Sequence, residues 1–174
     1  MTRAKLDDHG AGLEIVRHGL ALALEHDLTT VAAELYQRLS VTLYDSADFR
    51  RAEEALDTAL ELCEASPDPD TIVACVSCMA YVLRERGEWS RATRMCRDML
   101  AAGTAVYVAE GLLGAIHAYE GRHASARRLL TASLAVATRN SHFNMIVDTT
   151  AALARVATAS EAVSSRRAEA CRPS

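Results

Sequence analysis

Apolar residues recur along the chain at steps of three and four, and the pattern breaks at short clusters of polar residues, glycine or proline. That is the period of an α-helix and not the alternation of a strand. It predicts helices over residues 9–26, 28–45, 48–65, 70–86, 88–102, 104–120, 122–138 and 142–159. The segments between them, Ser46-Ala47-Asp48, Ser66-Pro67-Asp68-Pro69-Asp70, Gly87-Glu88, Gly103-Thr104 and Gly121-Arg122, are short enough to force neighbouring helices antiparallel. The expected fold is therefore all-α, a chain of helical hairpins forming one domain over residues 1–159. From Ser160 onward the periodicity is lost, and residues 160–174 are expected to be a mobile tail.

The hairpins repeat. Asp48-Phe49-Arg50-Arg51-Ala52, Glu88-Trp89-Ser90-Arg91-Ala92 and Arg122-His123-Ala124-Ser125-Ala126 recur at spacings of 40 and then 34 residues. Each follows a small or turn-forming residue (Ala47, Gly87, Gly121) and places a bulky side chain three residues before an alanine. Glycine permits the turn, the bulky residue plugs the hairpin junction, and alanine lets two helices approach closely. Upstream stand Leu39-Ser40, Met79-Ala80 and Leu113-Gly114, a large residue beside a small one at each expected helix crossing.

These segments resemble the tetratricopeptide repeat family, whose large-small, glycine, aromatic and alanine positions they match over about residues 9–159. The resemblance implies antiparallel hairpins stacked as a right-handed solenoid that holds another protein. In the third repeat His123 stands where an aromatic is usual. The first helix, with Ala21-Leu22 resembling Ala59-Leu60, reads as the second half of an incomplete repeat, and Ala151 to Arg155 open another. A narrower resemblance, carried by Arg86-Gly87-Glu88-Trp89-Ser90-Arg91-Ala92, Glu110-Gly111-Leu112-Leu113-Gly114 and Gly121-Arg122, is to the helical repeat region of MalT and LuxR type bacterial regulators. It implies a regulatory interaction. The ATPase and helix-turn-helix parts of those regulators have no counterpart here, as there is no phosphate-binding glycine loop.

Composition narrows the function classes. Half the residues are hydrophobic but only 5% are aromatic, and 19 Lys and Arg stand against 23 Asp and Glu for a formal charge of −4. No overall positive field draws the chain to nucleic acid. The N-terminal stretch from Met1 lacks the apolar run of a signal peptide and no segment reads as a membrane span, so a cytoplasmic protein with reduced thiols is expected.

Cys75 and Cys78 lie three apart on one predicted helix, with Cys63 and Cys96 on helices expected to flank it. Three readings are open for these four: small apolar packing residues, a zinc or iron–sulfur cluster, or a redox sensor. Packing is favoured because metal-binding pairs usually sit on knuckles and these lie mid-helix; no cofactor is expected. Of six histidines only His117 and His123 could approach each other across a hairpin, and neither forms a metal or catalytic motif. No nucleophile or acid–base constellation is recognisable, so no enzyme is expected.

The remaining candidate surface is the one lined by the first helix of each hairpin, which forms the concave face in such solenoids. It supplies Gln37, Val41 and Tyr44, then Ser77, Tyr81 and Arg84, then Ala115 and Tyr119, with Asp148 and Arg155 if a fourth hairpin forms. Tyr44, Tyr81 and Tyr119 recur at nearly the same turn. Either they make an amphipathic strip for a protein segment or peptide, or they merely cover the core between repeats. Rival functions are an effector- or metal-sensing regulator fragment and a self-associating homo-oligomer whose apolar end faces pair.

Overall fold

A computed structural model describes the backbone of residues 2–170 and the side chains of residues 12–159. Its elements are α1 (Thr2–Glu25), α2 (Thr29–Asp45), α3 (Phe49–Ala65), α4 (Pro69–Glu85), α5 (Trp89–Ala102), α6 (Val106–Tyr119), α7 (His123–Arg139) and α8 (Phe143–Ala170). All the described secondary structure is helical, and each helix expected from periodicity is present. The two outermost run longer than the sequence pattern indicated: α1 starts at Thr2 instead of residue 9, and α8 continues through Ala170, past the expected end at 159. The tail expected over 160–174 is thus helical as far as Ala170; its side chains lie outside the described residues.

The turns explain why the helices stop. Asp27, Ala47, Gly87, Gly103, Gly121 and Ser141 all have φ between 53° and 78°, the left-handed conformation that ends a helix. Across all six turns a backbone N–H reaches back to a carbonyl of the last helical turn: Leu28 to Ala23, Asp48 to Leu43, Glu88 to Leu83, Thr104 to Met99, Arg122 to His117 and His142 to Ala137, at 2.8–3.0 Å. At the start of α4, Asp68 caps the helix by accepting from the Thr71 N–H at 2.9 Å and from its hydroxyl at 2.5 Å. Those two bonds hold the Asp68 carboxyl below its usual pKa.

The chain falls into two compact units, Met1–Ala92 and Thr93–Ser174. In the first, α2 packs on α1, α3 and α4, and α3 also packs on α4. Its core includes Leu43, Leu56, Cys75, Met79, Val82 and Leu83, each at most 6% exposed. Ala52 and Ala92 are fully buried, as the repeat pattern requires of an alanine at a close crossing. Glu53 of α3, its side chain 13% exposed, pairs with both Arg86 and Arg91, the latter at 3.2 Å, and ties the turn after α4 to α3. Trp89, at the hairpin junction, donates its indole N–H to the Arg84 carbonyl at 3.2 Å.

In the second unit α6, α7 and α8 pack on one another around Ala115, Ala126, Leu130, Ala152 and Val156. A Cβ added at Gly114 would stand 2.7 Å from Leu130 Cγ and 3.1 Å from its backbone N, so glycine is what admits α7 there. The unit uses the register of α2 to α4 again. Ala126 and Leu130 of α7 occupy the places of Ala52 and Leu56 in α3, and all four are fully buried. The register of α1 corrects one reading of the sequence. Its terminal turn matches that of α7, which places Ala23 at the buried position of Ala137, whereas Ala21, matched to Ala59 in the sequence, is exposed.

Candidate protein-binding face

The proximity of α2 and α4 brings six of the expected site residues and their neighbours onto one pair of helices. At one end Tyr44 meets Tyr81 edge-on, ring centroids 6.3 Å apart at 79°, and meets Phe49 at 5.5 Å and 64°. The Arg84 guanidinium lies 5.1 Å from the Tyr81 ring centre, within the range of a cation–π contact. Its Nε donates to Glu85 Oε1 at 2.8 Å, and both its Nη2 and that carboxylate reach the Tyr44 hydroxyl at 3.5 Å. The Arg84 side chain is only 13% exposed. It braces the rings from beneath, while the half-buried edges of Tyr44 and Tyr81 meet solvent.

Further along, Gln37 donates to the Cys78 sulfur at 3.3 Å and its carbonyl accepts from the Ser40 hydroxyl at 2.6 Å. Val41 is 38% exposed and Ser77 is half-buried. Beyond Gln37 a cleft of about 320 Å³ opens, lined by Glu34, Arg38, Asp68, Asp70, Thr71 and Ala74. Three carboxylates there face one arginine, which makes this end of the face acidic.

The second unit holds Tyr119, 56% exposed, with the Arg155 guanidinium 5.3 Å from its ring centre. Ala115 is not at a surface. It is 6% exposed inside the core cluster, because the residue after Gly114 turns toward α7 and α8.

Cys63, Cys75 and Cys96 are buried and Cys78 is half-buried. Burial pushes the Cys75 thiol up to about 12, with Cys63 and Cys78 adding to the shift. Burial raises Cys63, with Asp68 adding, and burial raises Cys78 against the opposing Gln37 bond and Arg38. Thiols held protonated in this way are poor nucleophiles. Among the described residues no group of three or more His, Cys, Asp or Glu side chains is placed to hold a metal ion. His117 Nδ1 pairs with the Ser125 hydroxyl at 2.9 Å, and His123 Nδ1 is buried with no hydrogen-bond partner.

No protein family, curated protein or solved structure matches this chain. Among the described residues no helix is long and apolar enough to cross a membrane.

Sequence reasoning found the ring positions but missed Phe49 and Glu85 as part of the cluster, and missed the acidic cleft. Phe49 was legible as a junction residue whose neighbour one turn back is Tyr44. The cleft was not, since Asp68 and Asp70 read simply as loop and helix-start residues.

Proposed function

We propose that the protein is a non-catalytic, regulatory interaction module of tetratricopeptide type, its hairpins stacked as a right-handed solenoid, acting in the cytoplasm. It takes a protein segment or peptide along the α2/α4 face. The observation that carries this reading is the braced aromatic pair. Tyr44 and Tyr81 are fixed edge-to-face over Arg84, so little side-chain entropy is lost when a partner covers them. Rings of this kind accept both apolar contact and a hydrogen bond. The acidic cleft at the other end favours a segment that sets an apolar residue on the rings and a cation near Asp68 and Asp70. Tyr119 offers a separate ring on the second unit.

The test is titration of a partner recovered by pull-down with the purified protein. Tyr81→Ala weakens binding by about 1–2 kcal/mol while helicity is retained, whereas Asp57→Ala, on an exposed position of α3, leaves it unchanged. A partner that tolerates the Tyr81 change but is lost on altering exposed α3 residues assigns the function to the other face.

A further inference from the structure

Two helices of this chain each carry one half of a packing arrangement that the chain completes elsewhere. In the complete case the leading helix α6 receives the trailing helix α7, with Leu130 seated on Gly114 and with Ala126 and Leu129 buried at 0% and 7%.

The helix α1 has the register of a trailing helix, and among the described residues it packs on α2 alone. Its terminal turn copies that of α7: Asp27 and Ser141 have φ of 53° and 57°, and Leu28 N–H to Ala23 O matches His142 N–H to Ala137 O. This aligns Gly12, Ile15 and Val16 with Ala126, Leu129 and Leu130. Ala23 is 3% exposed, as its counterpart requires. Yet Ile15 is 73% exposed, and a Cβ added at Gly12 would meet nothing within 4 Å. The face that a leading helix would cover is thus open at Ile15 and Gly12, and Val16 is half-buried where its counterpart Leu130 is fully buried.

The helix α8 is the converse. It follows α7 as α4 follows α3, so Leu153-Ala154 repeats Met79-Ala80 and Ala157 takes the place of Leu83. Ala80 and Leu83 are fully buried, whereas Ala154 and Ala157 are exposed. On the same face, at helical spacing, Phe143 is 73% and Val147 51% exposed. After α4 the chain turns at Gly87; α8 has no such turn and runs straight on to Ala170.

We propose that copies of this chain join head to tail, α1 of one copy seating on the exposed face of α8 of the next in the manner of a trailing helix. The side chains at the central contact match in size. Where α6 and α7 pair Gly114 with Leu130, the junction pairs Ala154 with Val16 of the partner copy, one carbon gained on one side and one lost on the other. Volume-conserving exchanges of this kind are the ones close packing tolerates. The contact joins two different surfaces, so each junction leaves one free α1 and one free α8, and assembly proceeds to a ring or an open chain. It uses none of the residues of the Tyr44 and Tyr81 face and stands whether or not that face binds a partner.

Sedimentation velocity on the full chain tests it. The wild type shows mass rising past the dimer with concentration. Ile15→Glu, which blocks α1, and Ala154→Glu, which blocks α8, each weaken self-association at least about tenfold. Both positions are exposed, so helicity and melting temperature report that the variants fold, and Val147→Lys is the alternative block on α8. Mixing the α1-blocked and α8-blocked variants restores a dimer and nothing larger, since the pair retains one good α1 and one good α8. A wild type that stays monomeric at roughly 100 µM overturns the proposal. So does a folded variant that assembles like the wild type, which assigns association to another surface, or a mixture that fails to dimerise.

Discussion

At Ala47 an alanine sits in the left-handed conformation that glycine supplies at Gly87 and Gly121, with φ of 59°. A Cβ in that region costs about 1–2 kcal/mol, and glycine returns part of this gain through its greater freedom in the unfolded chain. Ala47→Gly is therefore expected to raise stability by up to about 1 kcal/mol, read as a higher denaturation midpoint; a lower midpoint contradicts the strain. His117 carries a pH dependence. Desolvation, aided by Arg122, lowers its pKa in the fold, so below the unfolded value of about 6.5 the unfolded chain binds the proton more readily. Stability from this group is complete above that pH and is lost as pH falls from it toward the depressed folded value. Urea titrations across this window in wild type and His117→Gln measure it, and an unchanged slope in the variant removes His117 as the cause.

At the level of elements, close approach depends on what the crossing positions lack. Gly114→Ala puts a methyl group against the Leu130 side chain and backbone, and overpacking of this kind costs about 1–3 kcal/mol. Gly12→Ala in α1 meets nothing and gains about 0.5–1 kcal/mol from helix propensity. A pair of thermal melts decides between them, and equal effects at the two sites would discredit the packing at Gly114. The contrast shows what the sequence could and could not reveal. The spans of the inner helices, turn residues and the buried alanines Ala52, Ala92 and Ala126 were legible because each has a local cause in periodicity, backbone conformation or side-chain size. The register of α1 was not, since Ala21-Leu22 and Ala23-Leu24 look alike until the turn at Asp27 selects Ala23 for burial. Nor was the bracing of Tyr81 by Arg84, which depends on how α4 lies against α2.

Across the whole molecule the cysteines report on the core. With Cys75 fully buried and its thiol pushed up to about 12, alkylation of the native protein followed by mass analysis is expected to leave Cys75 unmodified until denaturant unfolds the chain. Rapid native labelling contradicts its burial. Elemental analysis is expected to find no stoichiometric zinc or iron; about one equivalent, lost on changing Cys75 and Cys78 to serine, overturns the packing role of these thiols. The register shared by α2–α4 and α6–α8 also shapes how the chain finds its native pairing. By register, α4 fits α7 as well as α3, and a longer loop closes at only about 0.6 kcal/mol more per doubling of length. Exchanged pairings are thus near rivals on the way to the native state, the hazard characteristic of repeated sequences. What separates them is where the copies differ inside the core: Ala55 against Leu129, Ala59 against Ser133, Cys63 against Ala137, Thr71 against Met145, Cys75 against Thr149. During the search those positions act as addresses, telling one half of the sequence from the other.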